Sequence, residues 1–327
     1  MEPSGSAPGP PAAAALGLSG GRRRFADLSF RVAAVAGGLS VLAILGLIAL
    51  STSQEAWPAF RQEGPSFVTS ARWVPNENVF GALAFIAGTL TASALAVAIA
   101  VPISVGIALF LSELAPRRLR KPVTYLIDLL AAVPSVVFGL WGVLVLAPAI
   151  VGVYDAISGW VEPVPILNTL FGGPAAGRSI FTAALILALM ITPIITSITR
   201  EVFDTVPAGL KEAAYALSAT RWEMIRGAIF PHSRSGMVGA VLLGLGRAMG
   251  ETIAVALVIG SSPQLTARLF GSGDAMAAVI ANEFGEAFGV WRSALIGLGV
   301  VLLAMTVAVN VFARAVAGPA PTAGARR

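Results

Sequence analysis

Long stretches without charge are the feature that most constrains the fold of this chain. A membrane-spanning helix needs about 20 mostly apolar residues. Five stretches of about that length or longer contain no Asp, Glu, Lys or Arg, and they lie at 32–50, 79–112, 129–154, 179–199 and 293–313. A sixth, at 236–259, is interrupted only by Arg247 and Glu251. We therefore predict an all-α integral membrane protein with six transmembrane helices.

The composition agrees with this fold class and excludes several kinds of chemistry. Charged residues make up 12% of the chain, whereas a soluble domain carries about 25%. Cysteine is absent and His232 is the single histidine, which excludes disulfides and metal sites built from Cys or several His. The lysines, Lys121 and Lys211, do not follow a glycine, so the chain has no Gly-Lys phosphate-binding loop. We expect no cofactor, no metal and no enzymatic reaction.

The remaining segments define the predicted organisation. Residues 162–178 contain several Pro and Gly, so we predict a loop or short interfacial helix there instead of a seventh span. We expect residues 1–28 to form a disordered cytoplasmic tail, 29–316 the six-span domain and 317–327 a second cytoplasmic tail. A signal peptide would also place an apolar run near the N-terminus, but this run is too long and no clear cleavage site follows, so we expect a retained helix.

The basic residues predict the orientation, because cytoplasmic loops of membrane proteins are enriched in Lys and Arg. With the N-terminus in the cytoplasm, most of the 22 basic residues lie inside. Those outside are Arg61, Arg72, Arg178, Arg268 and Arg292. We therefore predict a multi-pass protein with both termini in the cytoplasm. The positive charge is therefore a topology signal, and we expect membrane lipid and no nucleic acid as a partner.

The cytoplasmic loop at 200–234 has the pattern of two short helices joined by a tight turn. Pro207 suits the first turn of a helix. Thr220 and Glu223 form a T-x-x-E capping box that starts a second helix, and we predict that Pro231 ends it. The pattern alone fits either a solvated helical hairpin or a docking element for another protein.

Arg247 and Glu251 are charged residues near the middle of the fifth predicted span. A charge at that depth costs at least about 2.5–3.5 kcal/mol on insertion scales and needs a partner or a wet pathway. Four residues apart on a helix, the two side chains can meet on one face. The pair fits either a structural ion pair or a substrate site, at which Arg would bind an oxyanion through two parallel hydrogen bonds. We also expect close helix packing at the glycines of this span, which are Gly239, Gly244, Gly246 and Gly250.

Glu251 suits an anion that carries a proton. Inorganic phosphate near neutral pH keeps an O–H group that a carboxylate can accept, and sulfate has none. We therefore hypothesise that Glu251 favours phosphate over a fully deprotonated dianion.

The loop resembles the EAA loop of permease subunits in bacterial ABC importers. The resemblance rests on Glu212, Ala213, Ala214 and Ser218 and on the run from Ile225 through Ile229 to Pro231. It implies a pair of coupling helices that fits a groove on an ATPase subunit, with these residues at the contact. Ser218 occupies the position at which the family usually has glycine.

Three other segments resemble the PstC-type permease subunits of phosphate-specific ABC importers. They are GRAMGETIAV at 246–255, AAVPSVVFGLWG at 131–142 and MITPIITSITREVFDTVP at 190–207. The resemblance implies a type I importer permease fold in the bacterial plasma membrane, with Arg247 and Glu251 required for phosphate transport. It also implies a PstA-like second permease, two ATP-binding subunits and an extracytoplasmic phosphate-binding protein as partners.

Further residues are candidates for the substrate pathway. Pro134 and Ser135 are expected to kink the third span toward it, and Thr252 is expected either to line it or to bond back within its helix. Two other functions remain open. One is a permease of the same architecture for sulfate or molybdate, and the other is an autonomous channel or secondary transporter.

Overall fold

The structure, a computed structural model, describes residues 20–317, with side chains described for 28–315. Within that part the chain is almost wholly helical, which confirms the all-α prediction. The α-helices are α1 (Gly20–Glu63), α2 (Ser66–Thr69), α3 (Leu83–Leu109), α4 (Arg117–Ala131), α5 (Ser135–Trp141), α6 (Ala147–Val161), α7 (Pro165–Phe171), α8 (Ile180–Asp204), α9 (Ala208–Ala216), α10 (Arg221–Met224), α11 (Phe230–Gly250), α12 (Ile253–Val258), α13 (Met276–Glu283) and α14 (Gly289–Ala317). The two short strands β1 (Trp73–Val74) and β2 (Val79–Phe80) pair antiparallel. Single π-helical turns lie at Phe110–Leu114, Gly142–Leu146 and Ile225–Ile229.

The chain divides into two compact units, Met1–Ser51 and Thr52–Arg327. In the first unit, residues 20–51 are one helix whose apolar side chains, such as Leu39 and Leu47, are exposed. Residues 20–28 are thus helical, although we expected them to belong to a disordered tail. The rest of that expected tail, and almost all of the C-terminal one, lies outside the described residues.

Five helical segments of the described chain are long and apolar enough to cross a membrane. They are Leu28–Glu63, Leu83–Leu114, Ser135–Val161, Ile180–Asp204 and Gly289–Ala315. They correspond to the first, second, third, fourth and last predicted spans. The predicted span at 236–259 is not one continuous helix. The segment predicted as a loop or interfacial helix contains the short helix α7.

The third span begins later than predicted, at Ser135 instead of Leu129. The residues before it belong to α4, an amphipathic helix that begins with the basic sequence RRLRK. Pro134, with φ −59° and ψ 139°, separates α4 from α5. Its backbone is therefore not helical and the chain turns there, whereas we expected a kink within a continuous span. The uncharged stretch that begins at residue 129 did not reveal this boundary. The last residues of α4 are also uncharged, because this helix has an apolar face of its own.

The core is arranged around α8, which is the most buried of the five apolar helices. Small residues on α3, namely Ala92, Ala96 and Ala100, are buried against it. Ser104 Oγ on α3 donates a hydrogen bond of 3.1 Å to the carbonyl oxygen of Thr192 on α8. Small side chains and hydroxyl bonds are what membrane helices use for close packing, because lipid provides little hydrophobic drive for helix association.

A second cluster lies where α13 and α14 meet the β1–β2 hairpin. Trp73 and Trp291 both donate from Nε1 to Oε2 of Glu283, at 3.1 and 3.0 Å. Trp73 is 7% exposed. These two tryptophans therefore satisfy a half-buried carboxylate. Trp57 and Trp160 are instead exposed, as tryptophans of an interfacial aromatic belt are.

Gly88 marks the closest approach between α3 and the loop before α13. A Cβ atom at this position would lie 1.9 Å from the carbonyl oxygen of Asp274. We expect Gly88→Ala to destabilise the protein by about 1–3 kcal/mol, because backbone would have to move. Gly106→Ala is the matched control on α3, since its Cβ would meet nothing within 4 Å. Thermal unfolding in detergent compares them, and equal midpoints would contradict this packing.

Burial raises the pKa of Asp274 from 3.8 to about 7, although the backbone N–H of Ala275 donates to its carboxylate. The charge of Glu283 raises the pKa further. Between about pH 4 and 7 the folded state therefore holds a proton that the unfolded state has lost, so stability falls as pH rises through this window.

Asp274→Asn should remove this penalty while keeping an oxygen acceptor for Ala275. We expect the variant to unfold at a higher temperature than the unaltered protein above about pH 7, and the difference to shrink toward about pH 4. Asp155→Asn, at an exposed carboxyl, is the control. A stability difference that is the same at both ends of the pH range would contradict the burial argument.

Candidate functional site

The fifth predicted span is broken where its charged residues lie. The helix α11 ends at Gly250, and Glu251 is extended, with φ −69° and ψ 128°. After Thr252 the chain becomes helical again as α12. Non-helical backbone is tolerated at membrane depth only where it is buried in protein or lines a water-filled cavity. The break is therefore a marker for a functional cavity.

Arg247 and Glu251 do not form the ion pair that an unbroken helix would allow. The two ion pairs in the described part of the chain are Arg72–Glu77 and Lys211–Glu113. The helix ends between them, and the backbone of Glu251 is extended. The Oε1 atom of Glu251 accepts a long hydrogen bond of 3.4 Å from the backbone N–H of Ala254 in α12. Of the two alternatives left open by the sequence, the structural ion pair is therefore not formed between these two residues.

Both charged residues line the same open cavity, which has a volume of about 900 Å³. Its walls come from one face of α11, one face of α14 and Ile194 of α8. Arg247 is exposed to this space and Glu251 is half-buried. The cavity thus places the guanidinium of Arg247 and one carboxylate beside an opening of mainly apolar walls, an arrangement suited to a small oxyanion.

The glycines of α11 divide between packing and the cavity. Gly244 packs on α8, since a Cβ there would lie 2.8 Å from the side chain of Ile195. A Cβ at Gly239, Gly246 or Gly250 would meet nothing within 4 Å, and these three line the cavity. The expected close packing within this chain is therefore confirmed at Gly244 alone. The others keep one side of α11 open.

The cavity also contains polar residues that the sequence analysis missed. Asn310 and Arg314 of α14 line it together with Val307 and Val311. The Nδ2 atom of Asn310 donates a hydrogen bond of 2.9 Å to the carbonyl oxygen of Thr306. A polar amide inside an otherwise apolar span is a signal that could have identified Asn310. Arg314 was counted only as a cytoplasmic charge, since its helix gave no other sign of a role.

Three predicted pathway residues do not line this cavity. Pro134 and Ser135 lie at the start of α5, where Pro134 is exposed and Ser135 half-buried. Thr252 Oγ1 donates to the carbonyl oxygen of Gly250 at 3.3 Å. This is the local bond that we considered as its alternative role. A part for these residues in the pathway stays a prediction.

The loop at 200–234 forms the helical hairpin that its sequence predicts, from α9 to α10. The capping box is present: Thr220 Oγ1 accepts from the Glu223 N–H, and Glu223 Oε2 accepts from the Thr220 N–H at 2.7 Å. The backbone N–H of Thr220, and then its hydroxyl, which donates to Glu223 Oε2 at 2.8 Å, hold the pKa of Glu223 below its usual value. Between the helices Ser218 has φ +61°, a left-handed conformation in which glycine is usual. The tight turn therefore forms with serine at this position.

The second helix of the hairpin does not end at Pro231. A π turn over Ile225–Ile229 continues directly into α11, so the chain is helical from Arg221 to Gly250. The Phe230 N–H bonds to the carbonyl oxygen of Ile225, five residues earlier. This wider turn lies immediately before Pro231. It lets the helix continue through a residue that has no backbone N–H to donate.

The hairpin has an exposed face and a buried side. Glu212 and Ala213 are exposed and Ala214 is half-buried. A groove of about 480 Å³ runs between the two helices, lined by Leu210, Ala214, Leu217, Ala219, Gly227, Ala228, Pro231 and His232. Ile229 is fully buried with Phe203 and Met224, so its side chain supports the hairpin from beneath. An exposed apolar groove is typical of a surface that another protein covers.

Comparison with known proteins identifies relatives along nearly the whole chain. The family described as "Binding-protein-dependent transport system inner membrane component" matches residues 100–318. A protein of Mesorhizobium japonicum, named "Phosphate transport system permease protein PstC", is 46% identical over 296 residues, which cover 89% of this chain and 90% of that protein. A Mycobacterium tuberculosis protein named "Phosphate transport system permease protein PstC 2" is 40% identical over 318 residues, covering 94% of this chain and 96% of that one.

A solved structure supports the fold. The chain resembles a subunit in the crystal structure of a bacterial ABC transporter involved in the import of the acidic polysaccharide alginate, with a TM-score of 0.58. The similarity covers 90% of this chain and 98% of that one, at 17% sequence identity. At this identity the similarity shows the shared permease fold and carries no information about the substrate.

Proposed function

Since this chain belongs to the binding-protein-dependent transport inner membrane components and, among them, to the PstC-type permeases, we propose that it forms half of the membrane pathway of an ATP-driven phosphate importer. It is a multi-pass membrane protein and a non-enzymatic transport subunit. The observation that carries the proposal is the cavity at the break between α11 and α12, with Arg247 and Glu251 in its wall.

Arg247 supplies the anion-binding group of the proposed site. Its guanidinium is permanently charged, is exposed to the cavity and belongs to neither of the two ion pairs in the described chain. The planar fork of donors matches two oxygens of a tetrahedral oxyanion. Arg314 provides a second positive charge in the same wall, four residues beyond Asn310.

Glu251 supplies selectivity in this proposal. One of its oxygens accepts a weak bond from Ala254, and within the described residues Oε2 has no hydrogen-bond partner. That oxygen can accept the O–H of a hydrogen phosphate ion, whereas it repels a sulfate dianion that has no proton to donate. The carboxylate therefore lowers the affinity of the site for every anion, but it lowers the affinity for phosphate less than the affinity for sulfate.

The open face of α11 supports a partner permease. Among the described residues, a Cβ at any of the three glycines of this face would meet nothing within 4 Å, and the cavity is open. A PstA-like subunit across this side would enclose the pathway. We further propose that both termini are cytoplasmic, in a bacterial plasma membrane, that two ATP-binding subunits cover the hairpins of the two permeases, and that an extracytoplasmic phosphate-binding protein delivers the substrate.

The continuous helix from Arg221 to Gly250 connects the hairpin to the cavity. It has a rise of about 45 Å, and Arg247 lies near its far end. Movement of the hairpin when the ATPases close would therefore tilt the wall that carries Arg247. The mechanism is rocking of packed helices around a site near the bilayer midplane, which exposes the site to each side in turn.

Replacement of the cavity charges tests the site. We expect Arg247→Ala to reduce phosphate uptake by the complete complex about 10- to 100-fold, because it removes a charge-assisted hydrogen bond. We expect Glu251→Gln to reduce the preference for phosphate over sulfate. Labelled uptake in membrane vesicles gives both values. Arg31→Ala and Glu55→Gln, at exposed residues outside the cavity lining, are the matched controls.

If both cavity variants transport phosphate as well as the controls do, the two residues have a structural role and the proposed site is wrong.

The substrate and the need for an ATPase are tested in the same vesicles. We expect excess unlabelled phosphate, and not excess sulfate, to compete with labelled phosphate. Equal competition by sulfate would favour a permease for another oxyanion. We also expect the chain without its ATPase partner to transport nothing, because rocking requires ATP-driven closure. Transport by the chain alone would favour a channel or secondary transporter.

A further inference from the structure

We propose that the ion pair between Lys211 and Glu113 is a positioning latch, which holds the cytoplasmic hairpin so that its movement is transmitted to the second and third spans. This inference rests on the proposed function, because it concerns the coupling of ATP hydrolysis to transport. Lys211 lies in α9, and Glu113 lies in the π turn Phe110–Leu114 that ends the second span.

The geometry of the pair sets it apart from a surface contact. Lys211 Nζ and Glu113 Oε1 are 2.5 Å apart, and the two side chains are 24% and 12% exposed. The other ion pair of the described residues, Arg72–Glu77, has side chains 63% and 56% exposed. Exposed pairs contribute little because water and salt screen them. Loss of one partner from a half-buried pair leaves the other charge poorly solvated, so the contact resists separation.

The hairpin helix α9 depends on this contact for its direction. None of the residues of α9 is buried. Ala214 packs only partly against the apolar cluster beneath the hairpin, around Phe203 and Met224. Apolar contacts are non-directional, so they allow α9 to slide or rotate on the cluster. The ion pair is the directional contact that joins α9 to the second span.

The segment that carries Glu113 is itself anchored. Arg120 of α4 donates from Nη2 to the carbonyl oxygen of Ser112 at 2.6 Å and from Nε to that of Ala115 at 3.1 Å. The helix α4 is tied in turn to α8, because Arg200 Nη1 donates to Thr124 Oγ1 at 3.0 Å.

These contacts form a path from the hairpin to the third span. A displacement of α9 moves Glu113, then the π turn, and then α4, which leads through Pro134 into α5. The hairpin is thus joined to the helix bundle by the chain at both of its ends, to α8 before it and to α11 after it. The latch adds a side-chain connection to the second span.

The experiment uses the complete transporter in proteoliposomes, with phosphate uptake and ATP hydrolysis measured together. We expect Lys211→Ala and Glu113→Ala each to lower the amount of phosphate transported per ATP hydrolysed by about fivefold or more. The charge-reversed double variant, Lys211→Glu with Glu113→Lys, should recover most of the loss, and Lys211→Arg should retain coupling. Arg72→Ala and Glu77→Ala, at the exposed pair, are the matched controls and should leave the ratio unchanged.

A second measurement does not depend on the substrate. Amide hydrogen exchange over residues 208–220 should become faster in either single variant and return toward the original rate in the double variant. Unchanged exchange and an unchanged transport ratio in the single variants would overturn the latch. A double variant that assembles and recovers neither value would also overturn it.

The two measurements separate this inference from the proposed function. If the unaltered complex transports no phosphate, the proposed function fails, and hydrogen exchange still decides whether the pair holds the hairpin. If phosphate is transported and the single variants loosen the hairpin without changing the transport ratio, the latch is overturned and the proposed function stands.

Discussion

The cost of an unsatisfied backbone group in lipid is the constraint on which the rest of this structure depends. Each unpaired N–H or C=O group in the hydrocarbon region costs several kcal/mol, so a spanning segment is helical throughout unless protein or water satisfies the groups that a break exposes. The chain breaks this rule between Gly250 and Ile253. Glu251 accepts from one of the exposed N–H groups there, and the cavity at the break accommodates polar groups. The exception to the helical rule and the candidate site are therefore the same feature.

One continuous helix joins the hairpin to the charged cavity, two regions for which we propose different roles. The hairpin of α9 and α10 continues through a π turn into α11, and α11 ends at the charged cavity. A second connection runs from Lys211 to Glu113 and then to the third span through α4. In the proposed coupling, this ion pair adds a side-chain contact to the links that the chain itself makes from the hairpin to α8 and α11. This matters because rocking of helices around a site requires their relative tilt to change.

Much of the fold could be predicted from the sequence, because lipid imposes a simple pattern. Apolar length alone located the first, second, fourth and last spans, and the T-x-x-E spacing located the capping box at Thr220. Chemistry alone selected Arg247 and Glu251, since charges in an apolar span are costly. The predictions failed where two patterns overlapped. The apolar residues of α4 made the predicted third span begin too early. Pro231 was predicted to end a helix, although a π turn lets the helix continue through it.

The sequence by itself determined that the chain is helical, that it crosses a membrane and which charges interrupt an apolar stretch, because these properties follow from transfer free energies of single residues. Only the tertiary structure decided that Arg247 and Glu251 are separated by a helix break and share a cavity with Asn310 and Arg314. It also decided that Gly244 packs while Gly239, Gly246 and Gly250 face open space. Spacing along a helix identifies which residues share a face. What that face meets depends on the neighbouring helices, whose approach is set by packing between residues distant in sequence.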